Sequence, residues 1–222
     1  LRVTYAETGR LVMLSHLEIA RALERAVRRA GLPYAVSQGF SPHMKQAFGS
    51  ALPVGVGGLE EIFDVSLTDY VPPEEALARL RASSAPDLMP HAARYITKDE
   101  TAASAAYPRS TYEALLEASR SGDCEMDVLA AAHELSLPSE ITVVRKKKER
   151  VLVPSEFVVG ELEVEPAEPG EEGRSRALVR FTLESKASGS LRPDVLLEHM
   201  LADWGLRAAS ILRSKQSEIP KE

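Results

Sequence analysis

The sequence contains little cysteine, few aromatic residues and no long apolar run. Its single cysteine, Cys124, excludes a disulfide framework or a cysteine-rich metal site built by this chain alone, so we expect a reducing, cytoplasmic environment. No stretch approaches the roughly eighteen apolar residues of a membrane span, and we expect no membrane partner. Hydrophobic residues still make up 44% of the 222 residues, which indicates a folded core rather than disorder.

Common motifs of metal and cofactor chemistry are also missing. The sequence contains no HExxH, CxxC or EF-hand pattern, and neither GxSxG nor GxxxxGK[ST] occurs. The glycines within 55–58 lack the following helix that a dinucleotide-binding fingerprint requires. We therefore predict no metal site and no cofactor in this chain.

Helical and extended periodicities alternate over the first hundred residues. Ser15 and Glu18 form an S-x-x-E capping pattern, after which apolar residues recur every three or four positions until Gly31 and Pro33. This pattern predicts a helix over 15–30. The remaining expected elements are a strand over 2–14 with a turn at 7–9, a turn at 55–58, a strand over 62–67, a helix over 72–83 and a strand over 89–97. The β-α-β-β-α-β order is that of a ferredoxin-like fold.

A similar order recurs after a polar linker over 98–109. Residues 112–118 suit a strand or, equally, a helix, and Asp123 suits a helix cap. The other expected elements are strands over 141–147, 157–164, 177–183 and 206–213 and a helix over 192–205. We predict an α+β protein with two tandem ferredoxin-like halves and antiparallel sheets. Its parts are a domain over 1–100, a domain over 108–215 with an extra hairpin, and a tail over 216–222.

Positive charge is concentrated near the start of a chain whose net charge is −6. The first fifty residues contain seven Lys or Arg against three acids. Arg21, Arg25 and Arg28 share one face of the predicted first helix, and their planar guanidinium groups suit phosphate. The alternative is an ordinary solvated face, on which Glu24 pairs with Arg28 and Glu18 with Arg21.

The segment after this helix is dense in groups that bind ligands. It combines hydroxyls, an amide, an imidazole, a cation, a stackable ring and a glycine that brings backbone N–H groups close to a ligand. These residues are Ser37, Gln38, Gly39, Phe40, Ser41, His43 and Lys45. The segment suits a phosphate and a stacked base. Its alternative role is a structural bulge that redirects the next strand.

Two further features have both a functional and a structural interpretation. His16 lies in the first turn of the predicted helix, where the helix dipole favours a neutral imidazole. This position suits a base or hydrogen-bond donor, and equally a packed cap residue. The basic run RKKKER over 145–150 suits a hairpin tip that reaches a polyanion, or a solvated turn.

Four motifs within residues 14–67 resemble the signature of an uncharacterised bacterial family of radical-SAM-linked domains (domain of unknown function 2344). The motifs are SHLE, RALERAVRRAGLP, SQGFSPHMK and LPVG. Met44 stands where that family commonly has a second proline. The later segments LPSEITVVRKKKERV and SLRPDVLLEHML agree more loosely. Members of the family are encoded beside or fused to radical SAM proteins.

The resemblance implies a radical SAM partner that carries the iron–sulfur cluster and S-adenosylmethionine, with no cofactor in this chain. Family genes often lie near ribosomal-protein and ribonuclease genes, which implies RNA, either tRNA or rRNA, and no DNA specificity. We expect an RNA-binding accessory protein that presents RNA to this partner for modification or maturation and that is not an enzyme on its own.

The expected RNA-binding or phosphate-binding residues are His16, Arg21, Arg25, Arg28 and the seven residues named within 37–45. Two alternatives remain open. One is a metal-independent RNA endonuclease or RNA-modifying transferase with His16 or His43 as general base and Lys45 or an arginine stabilising negative charge. The other is a protein-docking module for the radical SAM partner.

Overall fold

The computed structural model describes residues 1–119, 126–145 and 147–219. The chain divides into two compact units, which we call unit 1 (Leu1–Tyr107 with Lys215–Glu222) and unit 2 (Pro108–Ser214). Both combine helices with antiparallel strand pairs, which confirms the predicted α+β class. Cys124 lies outside the described residues.

No helix in the part of the chain that the structure describes is both long and apolar enough to cross a membrane.

Unit 1 places helices beside a sheet of antiparallel pairs. Its elements are β1 (Arg2–Glu7), α1 (His16–Arg29), β2 (Gln46–Phe48), β3 (Val56–Val65), α2 (Pro73–Ser83), β4 (Leu88–Arg94) and the single-turn α3 (Ala103–Ala106). β1 lies between β4 and β3, and β2 pairs with β3, which gives the order β4-β1-β3-β2. Near the chain end, the Gln216 side-chain amide donates to the carbonyl of Glu60 in β3 at 2.9 Å.

Helix α1 agrees with its prediction to within a residue at each end. The Glu18 carboxylate accepts hydrogen bonds from the Ser15 backbone N–H at 2.8 Å and the Ser15 hydroxyl at 2.7 Å. These bonds, aided by the charge of Arg21, lower the pKa of Glu18. The apolar stripe of α1 is buried in one core with residues of β1, β3 and α2. Capping and periodicity are local signals, so the sequence alone was sufficient to predict the bounds of this helix.

The first strand is shorter than its prediction. The sequence predicts a strand over 2–14 with a turn at 7–9. β1 does end at Glu7, where the turn was expected, but a 3-10 helix rather than a strand follows over Gly9–Met13. Gly9 has a φ of +56°, the left-handed conformation that turns the chain out of the sheet. The apolar residues of this helix suggested a strand because a short apolar run fits either conformation.

The predicted turn over 55–58 is also partly wrong, because β3 already begins at Val56. Only Gly55, with a φ of +90°, has the turn conformation. Gly58 lies within β3, where a Cβ would overlap the side chain of Glu61. The small residue at position 58 leaves room for the Glu61 side chain, so its role is close packing rather than a turn.

Part of the predicted linker over 98–109 is ordered and packs within unit 1. Helix α3 buries Ala103 and Ala106. The Ala103 backbone N–H donates to Asp64 at 3.3 Å, and Arg2 donates to the Thr101 carbonyl at 2.9 Å. Residues 101–106 are therefore attached to β1 and β3 by polar contacts.

Unit 2 contains a sheet and a separate two-stranded hairpin. Its elements are β5 (Arg109–Ala118), α4 (Val128–His133), β6 (Ile141–Arg145), β7 (Lys148–Leu152), β8 (Val158–Pro166), β9 (Ala177–Glu184), α5 (Pro193–Leu201) and β10 (Leu206–Ser217), whose last three residues belong to unit 1. β5 lies between β10 and β9, and β8 pairs with β9. The order is β10-β5-β9-β8, and β6 pairs with β7.

One ambiguous prediction in unit 2 is settled by the structure. Residues 112–118 lie in strand β5 and not in a helix. Helix α4 is capped by Asp127, whose side chain accepts from the Ala130 N–H at 3.0 Å. The expected cap, Asp123, lies outside the described residues. Helix α5 ends at Leu201, four residues before the predicted end, and Gly205 then takes a φ of +65° ahead of β10.

Candidate nucleic-acid interface

The segment Ser37–His43 forms a loop that is closed at its base. The Ser37 backbone N–H donates to the His43 carbonyl at 2.8 Å, and the His43 N–H donates to the Ser37 hydroxyl at 3.0 Å. Val36 and Met44, just outside these residues, form an isolated antiparallel bridge. Met44 is only 5% exposed and anchors the loop in the core. The loop therefore projects from a fixed base.

The tip of this loop presents an aromatic side chain to solvent. Phe40 is fully exposed, and Gln38, Ser41 and His43 are exposed around it. Gly39 has open space, since an added Cβ would meet no atom within 4 Å. Packing does not require glycine at position 39. The aromatic ring, and not the glycine, is the distinctive feature of the tip.

The arginines of α1 lie on the side of the helix opposite to its buried stripe, which includes Ile19 and Leu23. Arg28 is already engaged, because it forms an ion pair with Glu24 at 2.6 Å and its guanidinium lies 4.9 Å from the centroid of the Tyr34 ring. The hydrogen bond with Glu24 raises the pKa of Arg28. One of the two predicted acid–arginine pairs is therefore present.

Arg21 and Arg25 make no side-chain hydrogen bond or ion pair with any residue in the described ranges. Glu18 does not pair with Arg21, because its carboxylate is held by Ser15. Both guanidinium groups are exposed. They are the cations of this helix face that remain open to a ligand.

Lys45 leaves the loop in an extended conformation. Its backbone N–H donates to the Ala35 carbonyl at 2.8 Å, and its carbonyl accepts from the Ser66 N–H at 3.0 Å. Its side chain is exposed and has no partner among the residues that the structure describes. Tyr34, which contacts Arg28, is the residue before Ala35. The contact between Arg28 and Tyr34 therefore connects the end of α1 to the base of the loop.

His16 lies away from the loop. Its ring packs edge-on against Phe48, with 5.2 Å between centroids, and Phe48 stacks on Phe63 at 6.0 Å. His43 precedes Phe48 by five extended residues, which corresponds to about 16 Å. Since α1 itself is about 21 Å long, its first turn is far from the loop that follows its end. The structure therefore separates His16 from His43 and the rest of the loop.

The surroundings of His16 include two acids that the sequence did not indicate as site residues. Glu7 and Glu61 are 5% and 3% exposed, and both have interaction partners. With His16 they line a polar cavity of about 10 Å³, room for about one water molecule. The sequence of β1 does indicate that Glu7 is buried, because side chains of a strand alternate between its two faces. Val3, Tyr5 and Glu7 therefore share the buried face. In the described ranges no three His, Cys, Asp or Glu residues are arranged to hold a metal ion.

A stacked tyrosine pair was also not predicted. The rings of Tyr70 and Tyr95 lie 5.3 Å apart, and Tyr70 is 74% exposed. The Tyr95 hydroxyl donates to the Val71 carbonyl and accepts from the Val71 N–H, both at 3.1 Å. Nearby, the Thr68 N–H donates to the Pro33 carbonyl, just after α1, at 2.7 Å. A periodic sequence pattern could not have revealed this pair, because the two tyrosines lie in different loops of the chain.

Comparison with known proteins gives a family but no activity. A family model described as an uncharacterised protein conserved in bacteria (DUF2344) matches residues 1–193. No curated protein matches the sequence. A crystal structure of an unknown protein from Galdieria sulphuraria aligns over 99% of this chain and 97% of its own, at 13% identity and a TM-score of 0.25. A TM-score this low supports no structural argument.

Proposed function

We propose that this chain, which belongs to the family of uncharacterised proteins conserved in bacteria (DUF2344), is an RNA-binding accessory protein whose unit 1 holds an unpaired stretch of RNA. The observation on which this depends is the fully exposed Phe40 ring at the tip of a loop with a closed base. Specific RNA recognition favours unpaired bases, and stacking on an aromatic side chain contributes about 1–3 kcal/mol per base.

Three exposed cations of unit 1 outside the loop suit the phosphates of the same strand. Arg21, Arg25 and Lys45 are exposed and lack ion pairs with described residues. Arg28 contributes less, because Glu24 already neutralises much of its charge. The net charge of −6 opposes a general coating of nucleic acid, so binding depends on this local group.

The partner and the finer fold belong to the same proposal. The resemblance of the motifs within 14–67 supports a radical SAM protein as the partner that receives the RNA and carries the iron–sulfur cluster and S-adenosylmethionine. The sheet strands of the two units also follow the same spatial order. Numbered along the chain within each sheet, they lie in the order fourth, first, third, second, which is β4-β1-β3-β2 in unit 1 and β10-β5-β9-β8 in unit 2. This correspondence supports a tandem ferredoxin-like arrangement.

The nuclease or transferase alternative has less support. General acid–base catalysis on RNA needs a base that an orienting group holds near the reacting atom. In the described ranges neither the His16 nor the His43 imidazole hydrogen-bonds to a carboxylate, and the two rings lie far apart. The accessory role requires no such pair.

Fluorescence anisotropy with a labelled unstructured RNA, measured over a series of salt concentrations, tests the proposal. Phe40→Ala is expected to weaken binding roughly 5- to 150-fold, because it removes stacking only. The slope of the logarithm of the binding constant against the logarithm of the salt concentration, which we call the salt slope, is expected to stay unchanged. The double variant Arg25→Ala with Lys45→Ala is expected to lower the salt slope by about 1.4, because two phosphate contacts are lost.

Two control variants locate the effect. Val54→Ala removes exposed apolar surface elsewhere in unit 1, and Arg81→Ala with Lys98→Ala removes two exposed cations elsewhere. Absence of RNA binding by the unmodified protein would refute the proposal, and equal losses in the controls would refute this site. If the protein binds the radical SAM partner after nuclease treatment but binds no RNA, the docking alternative replaces it.

A further inference from the structure

The hairpin of β6 and β7 in unit 2 is a ribbon with a buried base and a basic tip. Ile141 pairs with Leu152 at the base, and both are buried. In the sequence, residues 145–150 contain five cations and one acid. Lys147 turns the chain at the tip with a φ of +64°.

The strand register separates the charges of opposite sign. Residues that are directly paired share a face of the ribbon, and successive pairs alternate between the two faces. Arg150, paired with Val143, shares the face of the Ile141–Leu152 base, and so does Lys148. Glu149 is paired with Val144 and lies on the other face. The acid is therefore not positioned to neutralise the two cations.

A neighbouring loop of unit 2 supports this basic face. The Arg150 guanidinium donates to the Ser188 carbonyl, and it lies so close to Gly189 that a Cβ there would come within 2.8 Å of a guanidinium nitrogen. Lys186 and Gly189 hold the loop closed through two backbone hydrogen bonds of 2.9 Å. The exposed side chain of Lys186 adds a cation to this loop.

We propose that Lys147, Lys148 and Lys186 form a second RNA contact that binds the phosphate backbone. This inference rests on the proposed function and extends it from unit 1 to unit 2. All three lysines are exposed and make no side-chain ion pair with a described residue. The described part of the hairpin contains no aromatic ring, so it suits contacts to phosphates, which position RNA, rather than contacts to bases.

A triple variant, Lys147→Asn with Lys148→Ala and Lys186→Ala, tests the contact in the full chain with the same labelled RNA. Asparagine is chosen at position 147 because it tolerates a positive φ. The variant is expected to lower the salt slope by about 2, because three phosphate contacts are removed. The matched control, Arg81→Ala with Lys98→Ala and Lys215→Ala, removes three exposed cations in unit 1 and is expected to leave the slope unchanged.

The experiment distinguishes failure of the proposed function from failure of the hairpin contact. If the unmodified protein binds no RNA, the proposed function itself fails. If Phe40→Ala weakens RNA binding but the triple lysine variant binds with the wild-type slope, only the hairpin contact is refuted, and the basic tip is left to a protein partner. An equal loss of slope in the control would also refute it, because the effect would then be one of total charge.

Discussion

The backbone N–H of His43 donates to the side-chain hydroxyl of Ser37 at 3.0 Å, and this bond closes the loop that presents Phe40. The reverse backbone bond, from the Ser37 N–H to the His43 carbonyl, is 2.8 Å long. The loop thus has two closing bonds, of which one depends on a side chain. A ligand that stacks on Phe40 benefits from a loop that is already ordered, because less conformational entropy is lost on binding.

Ser37→Ala is therefore expected to weaken RNA binding roughly 2- to 12-fold, the equivalent of one hydrogen bond of about 0.5–1.5 kcal/mol. Stability is expected to change little, because the exposed loop allows water to replace the lost acceptor. Binding by anisotropy and unfolding by urea separate the two effects. Ser37→Thr keeps the hydroxyl and is expected to bind as the wild type, and Ser136→Ala, at an exposed serine outside the loop, is the matched control. Unchanged binding by Ser37→Ala would show that this bond does not organise the site.

The parts of the fold that agree with the sequence are those with local signals. Helix α1 agrees because the capping pattern of Ser15 and Glu18 and the apolar period lie within one segment. The start of β3 differs because Gly58, which suggested a turn, lies within the strand beneath the side chain of Glu61. That kind of contact has no signature in composition or period.

For the candidate site the sequence predicts residues but not their arrangement in space. The density of polar groups identified the segment 37–45, and the helical period placed Arg21 and Arg25 on one face. The separation of His16 from His43 depends on the path of the chain through α1 and β2, which periodicity does not encode. The anchoring role of Met44 likewise depends on which side of the extended segment meets the core.

The ion pair of Arg2 and Asp64 is expected to be the most sensitive polar contact of unit 1. Arg2 is 4% exposed and donates to both carboxylate oxygens, at 2.8 and 2.9 Å. The hydrogen bond with Asp64 raises the pKa of Arg2. Asp64→Leu leaves a buried guanidinium without its counter-charge, and we expect a loss of about 3–5 kcal/mol in the free energy of unfolding in urea.

Two comparisons check this assignment. The double variant Arg2→Met with Asp64→Leu removes both charges and is expected to be more stable than Asp64→Leu alone. Asp99→Ala, at an exposed aspartate, is expected to stay near the wild type. If Asp64→Leu costs less than about 1 kcal/mol, the pair is accessible to water and this account of it is wrong.

Glu100 is expected to make stability depend on pH in the acid range. Its carboxylate accepts from Arg94 at 2.7 and 3.0 Å and from the Thr97 N–H at 3.0 Å. The hydrogen bond from Arg94, followed by the bond from Thr97, lowers the pKa of Glu100 from 4.5 to about 2. Because the pKa is lower in the folded state, the carboxylate stabilises the fold above pH 4.5, and this contribution is lost as the pH falls towards 2.

Glu100→Gln is accordingly expected to be less stable than the wild type at neutral pH, with a difference in unfolding free energy that shrinks between about pH 5 and pH 2. Urea unfolding at a series of pH values measures this difference. Glu60→Gln, at an exposed glutamate with no side-chain hydrogen bond to a described residue, is expected to show a small difference that does not change with pH. Because Glu100 is near the surface, added salt should reduce the difference at neutral pH. A difference of equal size at pH 3 and pH 7 would mean that Glu100 acts through packing rather than through its charge.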